Sequence, residues 1–262
     1  KLEGSVRNTG VHACGLIIAP EDITNIVPAS VSKDSPYQQV QYDVKVIEDA
    51  GLLKMDFLGL STLSILKDTI NLIKRNHGIS IDLDELPLDD KKTYELFQHA
   101  DTNGVFQFES DGMKSHMRNL KPTQFEHLIA MNALYRPGPI QYIPNFIRRK
   151  NGVEKVEYDL PELKEYLEDT FGITVYQEQV MLLSQKLAGF SKGKADELRK
   201  AMGKKNAEKI NELEALFMEG AIANGYPEDK LKKIYNDWKE FAAYAFNKSH
   251  STCYALIAYH SA

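Results

Sequence analysis

The sharpest chemical signal lies in Leu53-Lys54-Met55-Asp56-Phe57. Read as a strand, a period of two puts Lys54 and Asp56 on one face and Leu53, Met55 and Phe57 on an opposite, buried one. The two charged groups then stand about 7 Å apart along the strand. A carboxylate on a rigid strand can ligate Mg2+, and a neighbouring ammonium can hold phosphates that the metal also touches. An ordinary lysine–aspartate pair on a half-exposed strand accounts for the same spacing. A second cluster is Tyr244-Ala245-Phe246-Asn247-Lys248-Ser249-His250-Ser251. One helix is expected to end near Ala245, with Ser249 or Ser251 capping the next. A helix N-terminus offers unpaired N–H groups and a positive dipole end, to which Lys248 and His250 add donors. Tyr244 can stack on a base or sugar.

Two further sites are basic. Arg199 and Lys200, followed past Gly203 by Lys204 and Lys205, can neutralise several phosphates. In Tyr135-Arg136-Pro137-Gly138-Pro139, two prolines around a glycine stiffen a loop and fix where Arg136 points. Arg148-Arg149-Lys150 is a second basic run. Solvated helix faces and a plain connector explain these features equally well. Gln177-Glu178-Gln179 after Tyr176 is polar and reads as a helix start or as a run that faces a substrate groove. His12, His77, His99, His116, His127 and His260 show no metal-ligand spacing, and Cys14 and Cys253 are too far apart to pair as zinc ligands. No glycine-rich phosphate loop with Lys-Ser/Thr, no His-Glu-x-x-His and no Gly-x-Ser-x-Gly is present.

These residues need elements to hold them. Residues 1 to about 60 read as strand-rich: 11–19, 39–44 and 52–58 are strand candidates. From Ser61 the period turns helical, with Leu63, Leu66, Ile70 and Ile73 on one stripe that ends at Gly78. Further helices are expected at 90–99, 110–119, 123–134, 176–188, 193–202, 207–223, 227–245 and 249–260, and a short strand at 105–108. Leu231, Ile234, Trp238, Phe241 and Ala245 form one apolar stripe behind Pro227.

The chain has 262 residues, 43% hydrophobic and 26% charged, with a formal charge of −5. Bulk charge does not announce a nucleic-acid binder. The span 186–209, however, holds eight basic and three acidic residues, a net +5 that leaves −10 on the rest. No apolar run reaches the ~18 residues of a membrane helix, and the cysteine usage fits a reducing compartment. Lys1 in place of Met, and the apolar run Tyr254–Tyr259 three residues from the last, make a segment of a longer protein the expectation.

Seven motifs occur in order: Asn8-Thr9-Gly10-Val11-His12-Ala13, Gly51-Leu52-Leu53-Lys54-Met55-Asp56-Phe57-Leu58-Gly59-Leu60, Gly104-Val105-Phe106-Gln107-Phe108-Glu109-Ser110, Tyr135-Arg136-Pro137-Gly138-Pro139, Tyr176-Gln177-Glu178-Gln179-Val180-Met181, Arg199-Lys200-Ala201-Met202-Gly203-Lys204-Lys205 and Phe246-Asn247-Lys248-Ser249-His250-Ser251. Their order and spacing resemble the alpha (catalytic) subunit of bacterial DNA polymerase III, a C-family replicative polymerase, over essentially the whole chain. The resemblance implies an α+β, predominantly helical fold. Residues 1–60 would be the C-terminal part of a palm of the polymerase-beta-like nucleotidyltransferase type, and 61–262 an all-α fingers domain. It implies that Asp56 is one of three catalytic, metal-holding aspartates. Lys54, Arg199, Lys200, Tyr244, Lys248 and His250 would bind the incoming nucleotide. Arg136, Arg148, Arg149, Lys204 and Lys205 are carried as DNA contacts.

The implied chemistry is two-metal nucleotidyl transfer with Mg2+, on primer-template DNA and deoxynucleoside triphosphates, in the bacterial cytoplasm and away from membranes. A sliding clamp and other replicase subunits would bind through regions not present here. The family's other two aspartates form an upstream Asp-x-Asp that Asp82-Leu83-Asp84 and Asp89-Asp90 do not match. The segment alone is therefore expected to be inactive, and an incomplete palm to self-associate mildly through an exposed strand edge. The competing class is a nucleic-acid- or protein-interaction module without a nucleotide pocket; an unrelated metal-dependent phosphohydrolase is a third.

Overall fold

The computed structural model describes residues 3–5, 10–31, 36–204, 206–242 and 244–262, without the side chains of 44, 45, 241 and 242. Asn8, Thr9, Lys205 and the side chain of Phe241 lie outside the described residues. The chain divides into two units, Lys1–Ser64 and Ile65–Ala262.

The first unit holds two antiparallel ribbons. Strand β1 (Gly15–Ile18) pairs with β4 (Leu53–Asp56), and β2 (Ala29–Val31) with β3 (Gln38–Val40). Strands β1, β3 and β4 are shorter than expected, and β2 answers to no strand expected from the sequence. Residues 11–14 are not strand because the His12 ring folds back, its Nδ1 accepting the N–H of Gly15 at 2.9 Å. Residues 41–43 leave the sheet and the chain turns into a short helix, α1 (Val44–Ile47). The core is small: Val27, Ile47 and Leu52, with Ile17 packed against them.

Register settles which face of the β1–β4 ribbon is which. Gly15 opposes Asp56 and Ile17 opposes Lys54, so these four share the face turned to that core. The other face carries Leu16, Ile18, Leu53 and Met55, all exposed, and Phe57 beyond it is 59% exposed. The expectation of a buried Leu53–Met55–Phe57 face is corrected. Antiparallel pairing does put Lys54 and Asp56 together, but among the described residues no layer covers the apolar side.

Helix α2 (Ser61–His77) begins where the helical period begins, but of its stripe only Leu66 is buried. Two cores then organise the second unit. The first gathers α3 (Lys91–His99), α4 (Asp111–Leu120), α5 (Phe125–Leu134), α6 (Ile143–Lys150), Val175, Tyr176 and α12 (Lys248–Ser261) around Phe97, Phe108, Met113, Met117 and Phe146. Asp90 and Ser110 cap α3 and α4 in the usual way, each accepting an N–H three residues on. The Tyr259 hydroxyl donates to the carbonyl of Pro87 and accepts the N–H of Asp90, tying α12 to the start of α3. The second core joins α7 (Lys164–Leu167), α8 (Gln177–Ala188), α9 (Lys192–Gly203), α10 (Ala207–Ala223) and α11 (Glu228–Ala242). Trp238, Phe217 and Tyr235 stack at its centre, with ring centroids 5.1 to 5.9 Å apart.

Residues 105–108 are not the expected strand but a run of turns. Gly104 and Gln107 both take positive φ, 81° and 65°, which breaks an extended run. The helix expected to reach 245 is assigned to Ala242. Among the described residues, no helix is long and apolar enough to cross a membrane.

Candidate functional site

In the first unit, β1–β4 pairing builds a small charged cradle. The Lys54 ammonium donates to both Asp56 oxygens, at 2.6 and 2.8 Å. That bond, ahead of the nearby charges of Lys54 and His12, holds the Asp56 carboxyl below its ordinary pKa. His12 Nδ1 stands 3.9 Å from Asp56 Oδ1 and 3.6 Å from Cys14 Sγ. Gly15 floors the cradle: a Cβ there would crowd His12 Nδ1, Asp56 Oδ1 and Lys54 Cε at 3.0–3.1 Å. A larger residue at 15 would close the space between the three side chains.

In the second unit, the N-terminus of α8 is a hub. Main-chain pairing joins Val175–Gln177 to Phe246: Gln177 N–H donates to the Phe246 carbonyl at 2.9 Å. Behind it, buried Gln179 accepts the N–H groups of Val175 and Tyr176 and donates to Thr170 Oγ1. Gln177 reaches two ways, donating to the Ala245 carbonyl and accepting from Arg199 Nη1 at 3.5 Å. Arg199, Gln177 and Ala245 line one small crevice with Val180, Met202 and Gly203. Glu178 meets the start of α12, accepting from Asn247 Nδ2 and from the Lys248 N–H at 3.0 Å.

The loop after α5 locks the same segment. Arg136 donates to the Tyr244 and Ala133 carbonyls, and its guanidinium lies 4.1 Å over the Phe246 ring. Gly138 has φ +101°, and a Cβ there would overlap the Tyr244 ring. The His250 ring packs between Phe246 and Tyr254, at 5.4 and 4.2 Å. Lys248 Nζ sits 5.3 Å over the Tyr176 ring and 3.7 Å from Asp169.

Residues 62–225 match the model of the bacterial DNA polymerase III alpha subunit finger domain. The chain belongs to the bacterial DNA polymerase III alpha subunit family. Residues 1–59 match that subunit's NTPase domain model. DNA polymerase III subunit alpha of Aquifex aeolicus is 50% identical over 264 residues, covering 100% of this chain and 23% of the relative. Those of Deinococcus radiodurans and Thermus aquaticus are 47% and 45% identical, again over 100% of this chain and 20% and 22% of theirs. The chain thus spans about a fifth of the length of these relatives.

Within the second unit of this polymerase-family chain, Arg199, Tyr244, Lys248 and His250 are brought to one neighbourhood around Gln177 and Phe246. Several details differ from expectation. The cap of α12 is Asn247, whose Oδ1 accepts the His250 N–H at 2.8 Å. Neither Ser249 nor Ser251 caps it, and Ser251 is buried with its hydroxyl on the Ile129 carbonyl. The dipole end of α12 is not vacant, since the Glu178 carboxylate occupies it. Arg199 and Lys200 share a counterion on their own helix, Asp196, at 2.8 Å each. Both cations hold its carboxyl below the ordinary range, Lys200 most.

Arg148 and Arg149 share Glu154, and Arg149 also donates to the Phe171 carbonyl. Lys204 is the C-cap residue of α9 and exposed. The sequence leaves Gln177-Glu178-Gln179 between a helix start and a run that faces a groove, and does not show His12 and Cys14 beside Asp56. A Gln-Glu-Gln run facing two loops about 70 positions away has no local signature.

Mg2+ takes oxygen ligands in a tight octahedral shell. The cradle in the first unit offers one carboxylate, already held by an ammonium, together with an imidazole and a thiol. The described residues of this chain do not by themselves fit Mg2+.

Proposed function

We propose that this chain is the end of the palm (1–60) and most of the fingers (61–262) of a bacterial replicative DNA polymerase. The intact parent extends a primer 3′-hydroxyl with deoxynucleoside triphosphates. Asp56 contributes one catalytic carboxylate to a Mg2+ site whose remaining ligands lie outside these residues, and Lys54 holds that carboxylate ionised and oriented. In the second unit, Arg199, Lys200 and Lys248 offer positive charge to the triphosphate, and His250 a ring nitrogen. Such preformed donors favour charge that develops on the transferring phosphates. Tyr244, seated on Gly138, offers a ring edge to base or sugar. Lys204 and Arg148 are the exposed cations left for the DNA backbone. Arg136 and Arg149 are better read as braces for the loops that carry the site. Partners are primer-template DNA and nucleotides, and a sliding clamp through other regions of the parent, in the cytoplasm.

The observation that carries this reading is the gathering of Arg199, Lys248 and His250 on the paired segments of Tyr176–Gln177 and Phe246 in a chain of this family. In the full-length subunit, Arg199→Ala and His250→Ala are expected to raise the KM for deoxynucleotides at least about tenfold, about 1.4 kcal/mol of lost binding. Affinity for primer-template should stay unchanged. A fall in DNA affinity with an unchanged nucleotide KM would favour a nucleic-acid-binding module instead. Primer extension by these 262 residues alone would show that the one carboxylate suffices and sink the assignment of missing ligands.

A further inference from the structure

We propose that His12, Cys14 and Asp56 form a binding site for a thiophilic divalent cation of the zinc class. Among the described residues, these three offer ligand atoms that all lie within 4.8 Å of one another. Tetrahedral Zn2+, with bonds of about 2.0–2.3 Å, holds its ligand atoms roughly 3.3–3.8 Å apart. The Nδ1–Sγ and Nδ1–Oδ1 separations of 3.6 and 3.9 Å are already close to those edges. The donor set of nitrogen, sulfur and one carboxylate oxygen suits Zn2+ or Co2+ and disfavours Mg2+ or Ca2+. Space is the second observation. Gly15 leaves open the volume into which His12, Asp56 and Lys54 project, and any Cβ there would fill it. The pairing Gly15–Asp56 keeps this gap beneath the carboxylate.

Binding has a defined balance. The Cys14 thiol releases its proton to solvent and ligates as thiolate. The Lys54 ammonium leaves the Asp56 oxygens, its place taken by the cation's own positive charge. His12 Nδ1 gives up the Gly15 N–H and ligates through the same lone pair, and water fills the fourth position. No electron is transferred. The site competes with Lys54 for Asp56, so occupancy takes that carboxylate out of any other role. The inference rests on the cradle alone and stands whether or not Asp56 serves polymerisation.

The test uses the 262-residue chain and metal salts alone. Titration with Co2+ is expected to give a 1:1 complex with thiolate charge-transfer absorption and the visible bands of a tetrahedral ion. Zn2+ should abolish both, and millimolar Mg2+ should leave them. Cys14→Ala and His12→Ala should each weaken binding at least about tenfold, with unchanged circular dichroism, while Cys253→Ser keeps the signal. On the unmodified chain, equimolar Zn2+ should slow alkylation of Cys14 and not of Cys253, read by mass spectrometry, with reversal by chelator. Loss of the signal in Cys253→Ser, an unaltered signal in Cys14→Ala, displacement by Mg2+, or equal alkylation of both cysteines with and without Zn2+ would overturn the site.

Discussion

The two units fix their charged groups by opposite means. In the first, Lys54 and Asp56 are neighbours because main-chain pairing sets a register, and among the described residues the core near them is Val27, Ile47 and Leu52. Asp56 keeps 43% of its side chain exposed. In the second, Arg199, Lys248 and His250 hang on helices that bury full aromatic cores, and each is held by a named partner in the chain. A ribbon with its apolar face open can fix where a side chain starts but does little to fix where it ends. A packed helix start fixes both. The first arrangement leaves charges free to exchange partners, and the second orients them beforehand.

The contrast can be broken most directly at Trp238, which is 1% exposed between Phe217 and Tyr235. Trp238→Ala should cost the second unit about 3–5 kcal/mol. Leu16→Ser on the open ribbon face should change stability by less than about 0.5 kcal/mol. Denaturant melts of both variants measure the gap, and equal losses would erase the distinction.

Acid supplies a second probe. His127 is buried, its Nδ1 accepts the Thr123 N–H, and burial, with a smaller push from Lys150, drives its pKa down to about 4. The unfolded imidazole titrates near ~6.5. The fold therefore favours the neutral ring. That contribution is complete above about pH 7 and is lost as pH falls from about 6.5 through about 4, roughly 3 kcal/mol in all. His127→Phe should flatten this slope in urea midpoints taken against pH. An unchanged slope would place the acid-sensitive group elsewhere.

Smaller effects sharpen the picture of the hub. Gly138→Ala meets both a positive φ and the Tyr244 ring, so about 1–3 kcal/mol of stability should go. In the full-length subunit its nucleotide KM should rise with it. A stable Gly138→Ala protein with normal KM would show that Tyr244 needs no such seat. Glu178→Ala removes an acceptor from the first turn of α12 and should cost about 1 kcal/mol, visible as faster amide exchange at Lys248.

Much of this was legible in advance. Helical periods marked α3 through α5 and α8 through α12, because buried stripes repeat where cores are large; the α2 stripe also read as helix, although only Leu66 of it is buried. Lys54 and Asp56 were paired correctly from period two alone. The opposite face is exposed where burial is expected, since alternation says which residues share a face and nothing about what covers it. The 105–108 strand failed on one left-handed glutamine. Helix α6 and the partners of Arg148 and Arg149 were not foreseen, because an arginine run reads the same whether it faces solvent or Glu154. The contacts among Gln177, Arg199 and Phe246 depend on tertiary placement that no local pattern encodes, as does the approach of Asp56 to His12 and Cys14.

The carboxylate of Glu178 at the head of α12 changes what phosphate recognition there would mean. An arriving anion would not enter an empty positive field but would trade places with a resident one. The displaced carboxylate offsets one of the charges that the phosphate brings. Added salt should weaken such an exchange far less than a count of the surrounding lysines and arginines suggests.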